Sequence, residues 1–196
     1  MRIKTLSVEQ AKTRRPLVIL KGVTKVVGSD DIIDVIEQQN PTLASIWKSR
    51  DDLKKRFVRS NAKNEDLYNI VFEVSADVRI HLLEIGRINV DHQRVRVVDF
   101  SGFIQCFMCL QFGHTRARCT SDVKACSHCA SKEHTWKDYK ISHDNDKLKC
   151  HNCKTRNEMT GQREDVCHSA TSAKDCPRIK AMITRINART DYGGLV

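Results

Sequence analysis

The cysteines of this chain constrain its fold more than any other feature, because all nine lie between Cys106 and Cys176. The N-terminal stretch MRIKTLSVEQAKTRRP lacks the apolar run of a secretory signal. In a reducing compartment, paired cysteines are more often metal ligands than disulfides. We therefore expect an intracellular protein, of the cytoplasm or the nucleus, in which the cysteine-rich segment folds around metal ions.

The first cysteine group is CFMCLQFGHTRARC, in which Cys106, Cys109, His114 and Cys119 follow the spacing C-x2-C-x4-H-x4-C. Thiolate and imidazole are ligands that suit zinc in a tetrahedral site. Gly113 can adopt the backbone angles of the tight bend before the histidine. Four protein ligands leave no open coordination position, so the spacing predicts a structural zinc ion that takes the place of a hydrophobic core.

The second group, CSHCASKEHTWKDY, begins with the same spacing at Cys126, Cys129 and His134, but Tyr139 stands where the last cysteine is expected. A phenol is not among the usual zinc ligands. Three outcomes are open. His143 completes a Cys2His2 site with a longer loop, a water molecule takes the fourth position, or the group does not bind metal usefully.

The third group has a looser spacing. Cys150 and Cys153 are followed by His168 after 14 residues and by Cys176 after seven more. We expect these four residues to bind zinc, with Cys167 as a rival ligand and an incomplete site with free thiols as the alternative. The three groups together predict two to three zinc ions, of which the first is the best defined.

The cysteine-free segment predicts an α+β domain. Its hydrophobic periodicity indicates the order strand, helix, strand, strand, helix, strand over residues 15–23, 28–41, 53–60, 67–74, 75–88 and 92–100. This βαββαβ order is that of ferredoxin-like and RNA-recognition-motif (RRM) domains. The apolar faces are Tyr68, Ile70, Phe72 and Val74 on the third strand and Val78, Leu82 and Ile85 on the second helix.

Aromatic residues on the sheet raise the possibility of base stacking. An RRM stacks bases on aromatic residues of its sheet, and the third strand offers Tyr68 and Phe72. Neither belongs to the glycine and aromatic pattern of an RRM, so we expect both to lie in the core or on a protein-contact face. Stacking on this sheet is the alternative.

Six segments follow from these patterns: a polar tail (1–14), the RRM-like domain (15–100), three zinc knuckles (104–121, 124–143 and 148–177) and a C-terminal helix with a tail (178–196). The second knuckle is degenerate and the third is atypical. The C-terminal helix is expected to serve packing or oligomerisation through an apolar stripe. The members of that stripe are Ile179, Met182, Ile183 and Ile186.

The formal net charge is +10 and the sequence pI is about 9.3, which favours a polyanion partner such as nucleic acid. No apolar run has the length of a membrane-spanning helix, so we expect no membrane partner. The sequence has no phosphate-binding glycine loop, no nucleophile elbow and no open zinc site with a partnered glutamate. We therefore expect a binding protein without enzymatic activity or a small-molecule substrate.

The first group resembles the zinc knuckle of retroviral nucleocapsid and retrotransposon Gag proteins. In that family, an aromatic residue after the first cysteine and a residue in the x4 loop form a platform for single-stranded bases, while basic residues hold phosphates. The residues of this sequence at or near those places are Phe107, Phe112, Arg116, Arg118 and Lys124. The alternative for the two phenylalanines is that they only cover the zinc site. Trp136 in the second group is a further candidate for stacking.

The whole arrangement resembles the Gag-like first-open-reading-frame proteins of arthropod non-LTR retrotransposons, in which a degenerate RRM-like domain leads directly into CCHC knuckles. The stretches that carry this resemblance are VRVVDFSGFIQCFMCLQFGHTRARC, CSHCASKEHTW, HSATSAKDCP and RTDYGG. It implies a protein that coats single-stranded element RNA, self-associates and acts as a nucleic-acid chaperone, with no catalytic residues. Tyr139 departs from the pattern. The competing functions are a domesticated host regulator that binds RNA and an assembly protein whose knuckles contact proteins.

Overall fold

The structure, a computed structural model, describes residues 13–138 and 145–194. It divides into two compact units. The first runs to Ser101 and also takes in the segment from Ala188, whereas the second is Gly102–Asn187. The polar tail expected at residues 1–14 lies almost wholly outside the described residues.

The first unit contains a five-stranded sheet in the order β2-β3-β1-β5-β4, with every neighbouring pair antiparallel. The strands are β1 (Leu17–Thr24), β2 (Leu53–Ser60), β3 (Leu67–Val74), β4 (Arg87–Val90) and β5 (Gln93–Phe100). The helices of this unit are α1 (Ile32–Gln39), α2 (Pro41–Ala44) and α3 (Ala76–Ile85). The prediction of an α+β fold is confirmed.

One face of this sheet packs with the helices to form the core of the first unit. Tyr68 and Phe72 belong to that core, with 5% and 0% of their surfaces exposed. The Tyr68 hydroxyl donates a hydrogen bond to the Val27 carbonyl at 3.0 Å. Rings buried in this way cannot stack on a base, so the core interpretation of both residues is confirmed.

The second predicted helix extends less far than the sequence pattern indicated. Helix α3 ends at Ile85, and Gly86 follows it with a left-handed φ of 67°. The next residues form β4, because the alternation Arg-Ile-Asn-Val buries Ile88 and Val90 to 2% and 0% exposure while the strand pairs with β5. Ile85, which was expected in the apolar stripe, is 41% exposed. The prediction was wrong on these two points.

Among its described residues, the second unit contains two α-helices, α4 (His151–Thr160) and α5 (Pro177–Asn187). The sequence predicts α5 but not α4, because HNCKTRNEMT has no apolar stripe. A separate apolar cluster forms the core of this unit. Its members are Leu110, Ala125, Cys150, Cys153, Ala170, Cys176 and Ile179, with Phe103, Phe112, Val166 and Ile183 packed against it.

The segment after α5 is part of the first unit. Thr190 forms a parallel bridge with Arg14, and the Arg79 guanidinium lies over the Tyr192 ring at 4.6 Å from its centroid. In the part of the chain that the structure describes, no helix combines the length and the apolar character needed to cross a membrane.

Candidate metal centres

The first cysteine group folds into a compact loop fixed by backbone hydrogen bonds. The Cys106 amide donates to the Gln111 carbonyl and the Leu110 amide donates to the Cys106 carbonyl, both at 2.9 Å. Leu110 has a φ of 60° and Gly113 a φ of 92°, both left-handed. That conformation costs a residue such as leucine about 1–2 kcal/mol. The turn is therefore stabilised by its surroundings and not by local backbone preference.

The donor atoms of this group converge on one point. Cys109 Sγ lies 3.3 Å from His114 Nε2 and 3.6 Å from Cys119 Sγ. These three donors and the Cys106 sulfur all lie within 4.8 Å of one another. Zinc bonds of about 2.3 Å to sulfur and about 2.0–2.1 Å to nitrogen place tetrahedral ligand atoms about 3.6–3.8 Å apart. The four residues therefore fit a zinc ion.

The second group repeats the loop of the first. The Cys126 amide donates to the Ser131 carbonyl at 2.9 Å, and the Ala130 amide donates to the Cys126 carbonyl at 3.1 Å. Ala130 has a φ of 59°, which matches the φ of 60° at Leu110. Two different sequences thus adopt the same unfavourable turn, which is the expected result if both enclose the same kind of ion.

Three donors of the second group are in place. Cys129 Sγ lies 3.3 Å from His134 Nε2, and both lie within 4.8 Å of the Cys126 sulfur. Tyr139 and His143, on which the identity of the fourth ligand depends, lie outside the described residues. The second group therefore has the loop of a zinc site and three of its ligands.

Three ligands of the third group lie at the N-terminal ends of two helices. Cys150 directly precedes α4, Cys153 lies in its first turn, and Cys176 directly precedes α5. Cys176 Sγ lies 3.8 Å from both other sulfurs, and Cys153 Sγ lies 3.5 Å from His168 Nε2. All four donors are buried, and their spacing fits tetrahedral zinc. Cys167, the rival ligand, is exposed and is not part of the cluster.

Each group with four donors contains one thiol with a lowered pKa. Burial opposes ionisation of Cys106, but the backbone N–H of Cys109 donates to its sulfur, and the pKa falls to about 7. The Cys150 thiol donates to Cys176, and the backbone N–H of Ile179 adds a second hydrogen bond, so the pKa of Cys176 falls to about 5. Because zinc binds the thiolate, these two sulfurs are the ligands best prepared for metal at neutral pH.

The three groups pack together into one body. Between the first and second groups, the Ala125 amide donates to the Met108 carbonyl at 2.7 Å. Between the second and third groups, the Ala170 amide donates to the Ser127 carbonyl at 2.9 Å. The sequence suggested three small modules, each with zinc in place of a core. The structure adds a shared apolar core, because the segments between the motifs contact one another.

The Leu110 carbonyl accepts hydrogen bonds from two side chains of this unit. These bonds come from Gln105 Nε2 at 3.0 Å and from Asn152 Nδ2 at 2.9 Å. The Gln105 amide also donates to the Ala170 carbonyl at 2.9 Å. Two amide side chains therefore connect the first loop to the segment around the third group. Neither residue was predicted from the sequence, because the contacts of Gln105 with Ala170 and of Asn152 with Leu110 join positions 65 and 42 residues apart.

Most of the residues expected to contact nucleic acid lie on the surface. Phe107 and Trp136 are 61% and 49% exposed. Phe112 is half-buried, and its ring packs against that of Phe103 at 5.5 Å between centroids. Phe112 is therefore committed in part to the apolar cluster, whereas Phe107 is free to meet a base. The exposed cations expected to hold phosphates are Arg116, Arg118 and Lys124.

Sequence reasoning missed a carboxylate behind the third group. His168 Nδ1 is buried without a hydrogen-bond partner among the described residues, and an Asp165 carboxylate oxygen is close to it, at 3.8 Å. A carboxylate on the far nitrogen of a zinc-binding histidine orients the ring and raises its basicity. The spacing D-x2-H was visible in the sequence, but so short a signal is not specific.

Comparison with known proteins gives one relative of interest. The chain is 23% identical over 188 residues to the "Uncharacterized 50 kDa protein in type I retrotransposable element R1DM" of Drosophila melanogaster. The match covers 94% of this chain but 36% of the relative, so the chain spans about a third of the length of that protein. No protein-family model matches the chain, and no solved structure matches it. The chain thus combines an α+β unit and three clusters that can hold zinc with a likeness to a retrotransposon protein.

Proposed function

We propose that this chain is the zinc-dependent, single-stranded nucleic-acid-binding part of a Gag-like retrotransposon protein, with element RNA as its partner. The observation that carries the proposal is the first group, where four donors at zinc spacing enclose a loop that leaves Phe107 61% exposed. The similarity to a protein of a retrotransposable element supports the Gag-like assignment. For the whole protein we propose RNA packaging, RNA chaperoning and self-association.

Zinc has a structural role in this proposal, since a bound ion supplies the bonds that fix each loop. In the first and third groups, four protein donors already make a complete tetrahedral set. Such a set has no position for a substrate or an activated water, so we propose a binding protein and not an enzyme. Thiolate ligands persist in a reducing compartment, which favours the cytoplasm or the nucleus.

The first unit is, in this proposal, a ferredoxin-like and RRM-like domain with an added strand. If β4 is set aside, the elements β1, α1, β2, β3, α3 and β5 follow the order βαββαβ. The helices pack on one face of the sheet, as the shared core shows. The short α2 and β4 are additions to that pattern.

Recognition by the first group would combine stacking with phosphate contacts. A base stacked on one aromatic ring is worth about 1–3 kcal/mol and requires little sequence preference. Arg116 and Arg118 lie in the 3-10 turn that directly precedes the ligand Cys119, so zinc binding holds their backbone in place. Phosphate contacts from such cations make binding weaker as salt rises.

A structural assembly protein is the second candidate, and one observation favours it. The loop of the second group is committed to contacts within its own chain and not left open for a base, since the Ser127 carbonyl accepts from the Ala170 amide at 2.9 Å and from the Ser169 hydroxyl at 3.2 Å. Ser127 occupies the place that Phe107 has in the first loop. Sizing of the protein with and without nucleic acid separates the two candidates, because the particle size of an assembly protein does not depend on RNA, whereas that of the RNA-binding protein increases when RNA is added.

The direct test is binding of a labelled single-stranded RNA to the reduced, zinc-loaded chain, followed by fluorescence anisotropy. An oligonucleotide of about 20 nucleotides exceeds the about 4–16 nucleotides that typical single-strand modules cover. We expect a Phe107→Ala variant to bind about 5- to 150-fold more weakly, the equivalent of about 1–3 kcal/mol of stacking. We also expect a chelator to weaken binding by the unmodified protein.

Met159→Ala is the matched control, because Met159 is an apolar residue of the same unit with 80% of its surface exposed. This variant is expected to bind RNA like the unmodified protein. Equal affinities for all three proteins, with zinc content unchanged, would rule out the first loop as the base-binding site.

A further inference from the structure

The stretch RTDYGG, which carries part of the family resemblance, supplies no ligand to the three metal groups. The chain leaves the first unit at Ser101, forms the second unit and belongs to the first unit again from Ala188 onward. We name residues 188–194 the clasp, because they follow α5 and dock on the first unit. Neither the zinc sites nor the proposed RNA contacts explain why this segment docks there.

The backbone of the clasp pairs with the segment before β1. The Arg14 amide donates to the Arg189 carbonyl at 2.7 Å, and the Asp191 amide donates to the Arg14 carbonyl at 2.8 Å. Thr190, between the two, forms a parallel bridge with Arg14. Main-chain hydrogen bonds of this kind hold an extended segment in one register. The clasp is therefore attached in a defined position.

Helix α3 holds the aromatic ring of the clasp. The Arg79 guanidinium lies over the Tyr192 ring, 4.6 Å from its centroid, and a cation in this position is attracted to the face of the ring. The same guanidinium donates to an Asp99 carboxylate oxygen at 2.8 Å, and only 14% of the Arg79 side chain is exposed. Asp99 thus keeps Arg79 in the position where it meets Tyr192.

Gly193 fits closely against the same helix. A Cβ at this position would lie 2.9 Å from Ile80 Cδ1 and 3.2 Å from Ala76 Cβ. A Cβ at Gly194 would meet no atom of the described residues within 4 Å. The Gly193 amide also donates to the Asp191 carboxylate at 3.1 Å, inside the clasp itself. The clasp therefore has a local turn of its own and a glycine that its close approach to α3 requires.

We propose that the seat on α3, formed by Ala76, Arg79 and Ile80, also accepts the clasp of a second copy, so that neighbouring copies exchange clasps and associate. The inference rests on the self-association proposed above and supplies a surface for it. The clasp makes the same contacts in either copy, so exchange gives up none of them, and swapped elements are for this reason a low-cost route to dimers. The occupant is a second copy because the seat already fits this chain's own segment.

Concentration decides between the two arrangements. Within one copy, the clasp is connected to its own seat through the second unit, and connected partners have effective concentrations of up to about 1 mM. In dilute solution the clasp therefore stays on its own copy. Copies bound next to one another on one RNA reach similar local concentrations, so exchange competes there. RNA binding thereby promotes assembly of the copies that coat the strand.

The test places a working clasp and an open seat on different copies of the full, zinc-loaded chain. One copy carries Ala76→Leu, which fills its own seat with a larger side chain, and Tyr192→p-benzoylphenylalanine, a photo-crosslinker in its clasp. The other copy carries Gly193→Leu, which excludes its own clasp by the clash with Ile80. We expect light to join the two chains through α3 when they are mixed at about 1 mM. The same product is expected in dilute solution with an RNA that binds several copies.

Three further partners for the crosslinker-bearing copy control the result. Gly194→Leu introduces the same side chain at a similar left-handed φ, 72° against 79° at Gly193, but without the clash. Its own clasp competes for the seat, so we expect fewer two-chain products than with Gly193→Leu. Tyr192→Ala removes the ring, weakens the clasp without a clash and is expected to resemble Gly193→Leu. A partner with Ala76→Leu has a blocked seat and is expected to give no cross-link at α3.

Equal yields with the Gly193→Leu and Gly194→Leu partners would overturn the proposal, as would the absence of two-chain products at about 1 mM. Binding of a short RNA that holds one copy is measured for every variant and is expected to stay unchanged, because no substitution lies in the cysteine groups. Loss of that binding in the unmodified protein would contradict the proposed function, whereas the cross-link yields without RNA test the exchange by itself.

Discussion

Single residues with an unusual backbone shape the zinc loops. Leu110, Gly113 and Ala130 all have left-handed φ values, of 60°, 92° and 59°. Only the glycine adopts this conformation without cost. The two loops are therefore stabilised by ligands and packing. Substitutions at the left-handed positions can test how much backbone strain each loop contains.

Gly113→Ala is expected to weaken zinc binding at the first group about 5- to 30-fold, because the left-handed conformation costs alanine about 1–2 kcal/mol. No atom lies within 4 Å of the added Cβ, so the cost comes from the backbone and not from a clash. Ala130→Gly is the reverse change, in which relief of strain offsets the loss of about 0.8 kcal/mol from one buried methyl. Zinc competition with a chromophoric chelator measures both variants. Equal losses in the two would contradict the strain argument.

The ligand residues could be predicted from the sequence, whereas their supports could not. Cys106 and Cys109 are close in the chain, so a local spacing identifies them before any fold is known. Asp165 behind His168, and Asn152 at the Leu110 carbonyl, act through contacts that only the folded chain brings about. No local pattern could have revealed them.

Among the elements, β4 and α4 show where sequence patterns fail. The alternation that buries Ile88 and Val90 is only four residues long, too short to oppose the longer helical pattern before it. Helix α4 lacks an apolar stripe because it contributes a ligand, Cys153, in place of a hydrophobic face. Helix α5 was predictable because Ile179 and Ile183 contribute to the apolar cluster at helical spacing.

Ile179→Ala is expected to destabilise the zinc-loaded second unit by about 2–5 kcal/mol, the usual cost of such a truncation in a core. Ile179 is 0% exposed and lies in the first turn of α5, three residues after Cys176. Thr184→Ala, on the exposed side of the same helix, is expected to change stability by less than about 0.5 kcal/mol. Urea unfolding followed by circular dichroism gives both values. A loss in the control as large as that in Ile179→Ala would contradict the role of the apolar cluster, because alanine is the better helix former at both positions.

At the scale of the whole molecule, the two units differ in what stabilises them. The first has a core of aliphatic and aromatic side chains from five strands and three helices. The second has a smaller cluster that includes the ligands Cys150, Cys153 and Cys176. At the third group, the residues that bind the metal are also members of the apolar core. Loss of the metal is therefore expected to disrupt the core, and disruption of the core to release the metal. A chelator is expected to unfold the second unit and leave the sheet of the first intact.

The shared cluster implies that the first and third zinc sites are coupled. Cys150→Ser removes a ligand and a member of the cluster, and it loosens the helix that carries Asn152, a hydrogen-bond donor to the first loop. We expect zinc at the first group to be released about 5- to 150-fold more readily, a coupling of about 1–3 kcal/mol. Native mass spectrometry during a chelator titration counts the ions that each variant retains.

Linkage makes this prediction stricter, because coupling between two binding sites is reciprocal. If each substitution acts only by emptying its own site, Cys106→Ser weakens zinc binding at the third group by the same factor by which Cys150→Ser weakens it at the first. Asn152→Ala alters no ligand but removes one of the hydrogen bonds at the Leu110 carbonyl. In this background, each cysteine substitution should therefore weaken zinc binding at the other group by a smaller factor. Independent modules would behave differently, since each cysteine variant would lose one ion and leave the affinity of the other site unchanged. Unequal factors would contradict an equilibrium coupling and would show instead that one substitution had disrupted the fold beyond its own site.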